Sequence, residues 1–75
     1  MFNFLTIDTN WIERNCKVKN AHLAKCPKIQ CSTASYNLIK YNEITVLKHP
    51  FTPYHFRGYE IVIDDSMELG IVEII

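Results

Sequence analysis

The sequence is poor in glycine and proline, with two and three among 75 residues, which excludes a collagen-like repeat and any flexible Gly- or Pro-rich linker. It has no net charge. Eight basic and eight acidic residues cancel, so no whole-molecule field draws the chain onto DNA or an anionic membrane. Long apolar runs are missing too: the longest uncharged stretch, Ile29 to Ile39, is too short and too polar to span a bilayer. No internal repeat or low-complexity tract occurs. With 48% hydrophobic and 21% charged content, what remains is one small globular domain over residues 1–75, too short for a multidomain enzyme. A chain of this size buries only about 60% of its unfolded surface, so its core is marginal.

Catalytic signatures are also absent. There is no G-x-x-x-x-G-K phosphate loop, no G-x-G-x-x-G and no H-E-x-x-H, and a domain this short leaves little room for a sizeable pocket. These observations predict a non-enzymatic protein with no cofactor. Asp64, Asp65 and Glu68 lack the twelve-residue ligand spacing and glycine of an EF-hand. The segment Met1 to Asp8 carries no basic n-region, long apolar stretch or small-residue cleavage site. Cys16, Cys26 and Cys31 make an odd set that leaves one thiol unpaired in any intrachain disulfide scheme. Both features predict a cytoplasmic protein.

Periodicity predicts an α+β domain: a small, mainly antiparallel sheet of three to five strands with one or two helices packed on one face. Residues 2 to 7 alternate as a short strand. Asp8-Thr9-Asn10 offers several helix caps, and Asn10 with Glu13 resembles a capping box, for a helix over about residues 10–25 with Ile12, Cys16, Leu23 and Cys26 on one face and Pro27 ending it. A competing reading turns Cys16 and Val18 into a strand bending at Asn20. Residues 32–41 fit either a helix capped by Ser32 or the first arm of a hairpin, whereas Ile44-Thr45-Val46 predicts a strand. Tyr59, Ile61 and Ile63 form the apolar face of a further strand, and Leu69 to Ile75 its antiparallel return after the turn Asp64–Glu68.

Charge is divided along the chain. From Arg14 to Asn42 lie Arg14, Lys17, Lys19, Lys25, Lys28 and Lys40 with no acid; from Gly58 to Ile75 lie Glu60, Asp64, Asp65, Glu68 and Glu73 with no base. If the ends pack together, these charges pair at the surface for about 0–1 kcal/mol each. If they occupy separate faces, Glu60, Asp64, Asp65 and Glu68 form an acidic edge that repels nucleic acid and attracts a basic protein surface. The basic stretch holds only Tyr36 and Tyr41 for base stacking, so nucleic acid is the less favoured partner.

The segment His49 to Arg57 holds Phe51, Tyr54 and Phe56 with two histidines, stiffened by Pro50 and Pro53. Phe51 and Phe56 are candidates for capping the core from beneath. Tyr54, His55 and Arg57 are candidates for exposed, partner-binding positions, because tyrosine and arginine anchor interfaces and a stiff loop loses little entropy on binding. Cys16, His22, Cys26 and Cys31 are four ligand-type residues in a short span, and on a helix His22 and Cys26 would suit one tetrahedral zinc. The alternative is buried, reduced cysteines acting as small apolar residues.

In size and in its Asn- and Ile-rich composition the chain resembles the small proteins that phages make to inhibit host or defence enzymes, anti-CRISPR proteins among them. That resemblance implies an inhibitor that occludes a functional, basic surface of a larger protein. The alternative is a Cys/His metal-stabilised module that binds nucleic acid through its basic half. A homo-oligomer burying Ile71 to Ile75 across a symmetric interface is a third possibility.

Overall fold

The computed structural model describes residues 7–23 and 26–75. The strand expected over residues 2–7 lies outside them, apart from Ile7, and so does Lys25. Among the described residues the order is α1 (Thr9–Leu23), β1 (Ile29–Cys31), α2 (Thr33–Tyr41), a π-helical turn (Asn42–Val46), β2 (His55–Phe56), β3 (Tyr59–Ile63) and β4 (Val72–Ile74). The strands form one sheet in the order β2-β3-β1-β4. The class is α+β, as the periodicity predicts, but the sheet is mixed because its central pair, β1 and β3, is parallel.

Of the caps that Asp8-Thr9-Asn10 offers, Asp8 is the one used, and the capping box of Asn10 and Glu13 does not open α1. The Asp8 carboxylate accepts the Trp11 N–H at 3.0 Å, satisfying one of the donors that a helix start leaves free. Ile12 and Cys16, four residues apart on one face, are both buried. The gap in the apolar stripe at Lys19 has a cause: its ammonium donates to the Ile74 carbonyl at 2.6 Å, tying α1 to β4. Cys26 lies beyond the helix and is exposed.

Ser32 caps α2, accepting the Ser35 N–H at 3.2 Å, and Asp65 accepts the neighbouring Thr33 N–H at 2.7 Å. Tyr36 and Ile39 are buried along one side, and Glu43 continues that side inward. The strand expected at Ile44-Thr45-Val46 is instead a wide helical turn, with the Leu47 N–H reaching back to the Asn42 carbonyl at 2.9 Å. Continuing the helix buries the Glu43 carboxylate against its half-buried partner, Arg57. The preference of β-branched residues for strands reflects a half-buried pleated surface, which these exposed residues do not have.

The expected hairpin between residues 59–63 and 69–75 does not form. β1 lies between them, pairing in parallel with β3 (Ile29 with Ile61, Cys31 with Ile63) and antiparallel with β4 (Ile29 with Ile74, Cys31 with Val72). Two bonds to the start of α2 carry the connection across: Asp65 to Thr33, and the Gly70 N–H to the Ser35 hydroxyl at 2.8 Å. β1 thereby takes the central place, where Ile29 and Cys31 are fully buried. β3 pairs on its other side with β2 through a two-residue turn, Arg57-Gly58, whose φ angles of 48° and 92° suit the right-handed twist of a hairpin.

Ile12, Cys16, Ile29, Cys31, Tyr36, Ile39, Phe56 and Ile61 form one core cluster, so both helices cover the same face of the sheet. Each large side chain buried there stabilises the fold by roughly 1.5–3 kcal/mol. Strand alternation turns His55, Glu60, Val62, Gln30 and Glu73 to the opposite, open face.

Candidate functional site

Two prolines set the path of the loop ahead of β2, but its conformation is fixed by two inward anchors. The first is aromatic. Tyr36, buried on α2, stacks on Tyr54 with ring centroids 4.8 Å apart and planes at 9°, and meets Phe51 at 6.0 Å and 55°. The Tyr36 hydroxyl also accepts the Tyr54 N–H at 3.1 Å. Tyr54 is nonetheless 53% exposed and sits at φ 58°, in the left-handed region. For a residue with a side chain that conformation costs roughly 1–2 kcal/mol. Glycine or asparagine would sit there more cheaply, so the position favours neither ease of folding nor burial.

The second anchor is ionic. Arg57 Nε and Nη2 each donate to one oxygen of Glu43 at 2.9 Å, and Nη1 donates to Glu13 on α1 at 3.0 Å. Glu43 is 1% exposed, and His49 Nδ1 stands 3.5 Å from its Oε1. The guanidinium carbon lies 4.8 Å above the Phe56 ring, within reach of a cation–π contact. Hydrogen bonding to the Glu43 carboxylate raises the Arg57 pKa above its ordinary value. Arg57 is therefore not the exposed position expected from the sequence. Its charge is taken up by two carboxylates, and what it does is hold the loop to both helices.

Tyr54 and His55 remain outward. His55 Nδ1 lies 3.0 Å from the Pro53 carbonyl, a contact that requires the proton on Nδ1 and leaves Nε2 facing away. Phe56 is fully buried and Phe51 half-buried against the core.

The acidic residues divide. Glu60 pairs with Lys28 at 3.7 Å, so the two oppositely charged segments meet on the open sheet face and the separation read along the chain is not kept there. Asp64 accepts the Ser66 N–H at 3.0 Å and hydroxyl at 2.6 Å, and these bonds hold its carboxyl below the usual range. Asp65 is lowered in the same way by the Thr33 N–H. Asp64 bonds within the turn and Asp65 reaches across to α2, while Asp65 and Glu68 stay exposed, so the turn after β3 keeps a negative surface. It follows the C-terminal end of β3, whereas His55 pairs with Glu60 near the start of that strand and the Tyr54 carbonyl accepts the Ile61 N–H at its middle, at 2.8 Å.

Cys16 and Cys31 are fully buried, on α1 and β1. Burial pushes both thiols up to about 11, so they are protonated near neutrality. His22 and Cys26 are exposed and do not share a helical face. Among the described residues no three His, Cys, Asp or Glu side chains are placed to hold a metal ion.

Sequence reasoning missed Glu13, Tyr36 and Glu43. A signal for Glu43 was present: one acid set among Tyr41, Ile44, Val46 and Leu47 must either face out from an apolar surface or find a cation within. Among the described residues no helix is long and apolar enough to cross a membrane. No protein-family model, curated protein or solved structure matches this chain.

Proposed function

We propose that this chain is a small non-enzymatic binding domain that occludes a functional surface of a larger protein, as an anti-defence or anti-CRISPR-type inhibitor does. The observation that carries the reading is Tyr54. A large aromatic side chain is held in a disfavoured backbone conformation, half out in solvent, by a buried tyrosine that orders both its ring and its N–H. Held exposed aromatics make binding anchors because little freedom is left to lose on association. His55 supplies a neighbouring ring nitrogen. Asp64, Asp65 and Glu68 supply a second, electrostatic contact suited to a basic partner surface. A reducing, cytoplasmic setting fits the free thiols of Cys16 and Cys31.

The test is affinity capture from cells that naturally contain the chain, comparing wild type with Tyr54→Ala/His55→Ala and with Asp64→Asn/Glu68→Gln. The reading expects a captured protein whose retention falls at least about thirtyfold on loss of Tyr54, the size of an interface hot spot. The acidic-turn variant should weaken capture mainly at low salt. Equal retention by all three proteins would overturn it.

A further inference from the structure

The solvent side of the α2 C-terminus carries an apolar surface that the loop contact does not use. Tyr41, Ile44, Val46 and Leu47 are 59%, 45%, 57% and 41% exposed within one short segment. Exposed Lys40 and Lys48 bound it at either end. The one acid of the segment, Glu43, is turned inward onto Arg57, so the surface is apolar with a positive rim. Grouped exposed apolar side chains with a charged border are what an interaction surface presents to water.

The chain also carries the complement. The connection from β3 to β4 exposes Leu69 at 51% and Ile71 at 49% beside exposed Asp65 and Glu68, with no basic residue from Gly58 to Ile75. Zero net charge leaves no overall repulsion between copies. We propose that the surface formed by Tyr41, Ile44, Val46 and Leu47 takes the acidic turn of a second copy of this chain, with Leu69 and Ile71 as apolar anchors and Lys40 and Lys48 facing Asp65 and Glu68. A symmetric pairing of the lysine-rimmed surface with itself would set like charges together, so the contact is head-to-tail. A joined pair leaves one surface of each kind open, and association proceeds beyond two chains unless the rotation closes a ring. The contact is independent of Tyr54. It does occupy the acidic turn, so a copy bound in this way cannot offer that turn to a basic partner.

Sedimentation velocity on the full chain tests this over roughly a hundredfold concentration range at low and high salt. Ile44→Asp/Leu47→Asp blocks one surface, and Glu68→Lys/Leu69→Ser blocks the other. Far-UV circular dichroism checks that both variants fold, as expected because all the side chains changed are exposed. The wild type should gain mass with concentration and lose it as salt rises. Each variant alone should stay a monomer, and an equimolar mixture should stop at two chains, because a single compatible pair of surfaces remains. Tyr54→Ala should associate as the wild type does. A wild type monomeric throughout, a variant that associates unchanged, or a mixture that stays monomeric would each overturn the proposal.

Discussion

Arg57 grips Glu43 through two parallel hydrogen bonds of 2.9 Å, joining the turn that opens β3 to the helix that closes α2. The planar guanidinium matches the carboxylate as a fork, a geometry that lysine cannot supply. Removing Arg57 leaves the buried Glu43 carboxylate with only His49 beside it, and removing Glu43 leaves the half-buried guanidinium with Glu13 alone. Glu43→Ala and Arg57→Ala should each destabilise the fold by on the order of 3 kcal/mol, and Arg57→Lys should recover little. Urea unfolding checks this: the midpoint should fall with the slope unchanged, and the double variant should cost clearly less than the sum of the single ones.

Lys48 follows the π-helical turn at φ 56°, where a helix end most often places glycine. Among the described residues its side chain makes only a long 3.5 Å contact, to the Thr45 carbonyl. Lys48→Gly should therefore stabilise the domain, by up to about 1 kcal/mol after the greater freedom of the unfolded chain is counted. A rise in the urea midpoint is the expected outcome.

The buried thiols set the alkaline limit. Burial, aided for Cys16 by Cys26 and Glu13, raises Cys16 from 9.0 to about 11, and burial alone does the same for Cys31. The unfolded chain loses these protons first, so stability is complete below pH 9 and falls as pH rises toward the folded values. Cys16→Ala/Cys31→Ala should flatten this decline whatever its effect on absolute stability. At pH 8 in the folded protein a thiol reagent should modify exposed Cys26 and spare the other two until the chain unfolds.

At the acid end the sign reverses. The Thr33 N–H holds Asp65 below 3.8, so its contribution is present above that value and is lost as pH falls through the lower folded pKa. Asp65→Ala should lower stability at neutral pH by freeing a donor at the start of α2. It should also make the acid decline shallower, as thermal melts between pH 2 and 7 would show.

Much of the fold is legible where local chemistry and tertiary demand agree. Ile12 and Cys16 read as a helical face, Ser32 as a cap, and Tyr59, Ile61 and Ile63 as a strand face, because each pattern matches the surface it buries. The failures lie where a distant partner decides. Ile44 to Val46 reads as strand until Glu43 is seen to need Arg57. The residues after Asp64 read as a returning hairpin until Asp65 and Gly70 are seen bonded to α2. Of the candidate site, Tyr54 and His55 were legible as exposed loop positions. Arg57 was misplaced, since nothing local distinguishes an arginine facing solvent from one that binds two carboxylates on separate helices.

The central claim is that this loop is held rigid before any partner arrives, and backbone 15N relaxation at Tyr54 and His55 tests it most directly. The account predicts order parameters near those of a rigid backbone, about 0.85, in the wild type, falling below about 0.6 in Arg57→Ala. Wild-type values already below about 0.6 at both residues would contradict it.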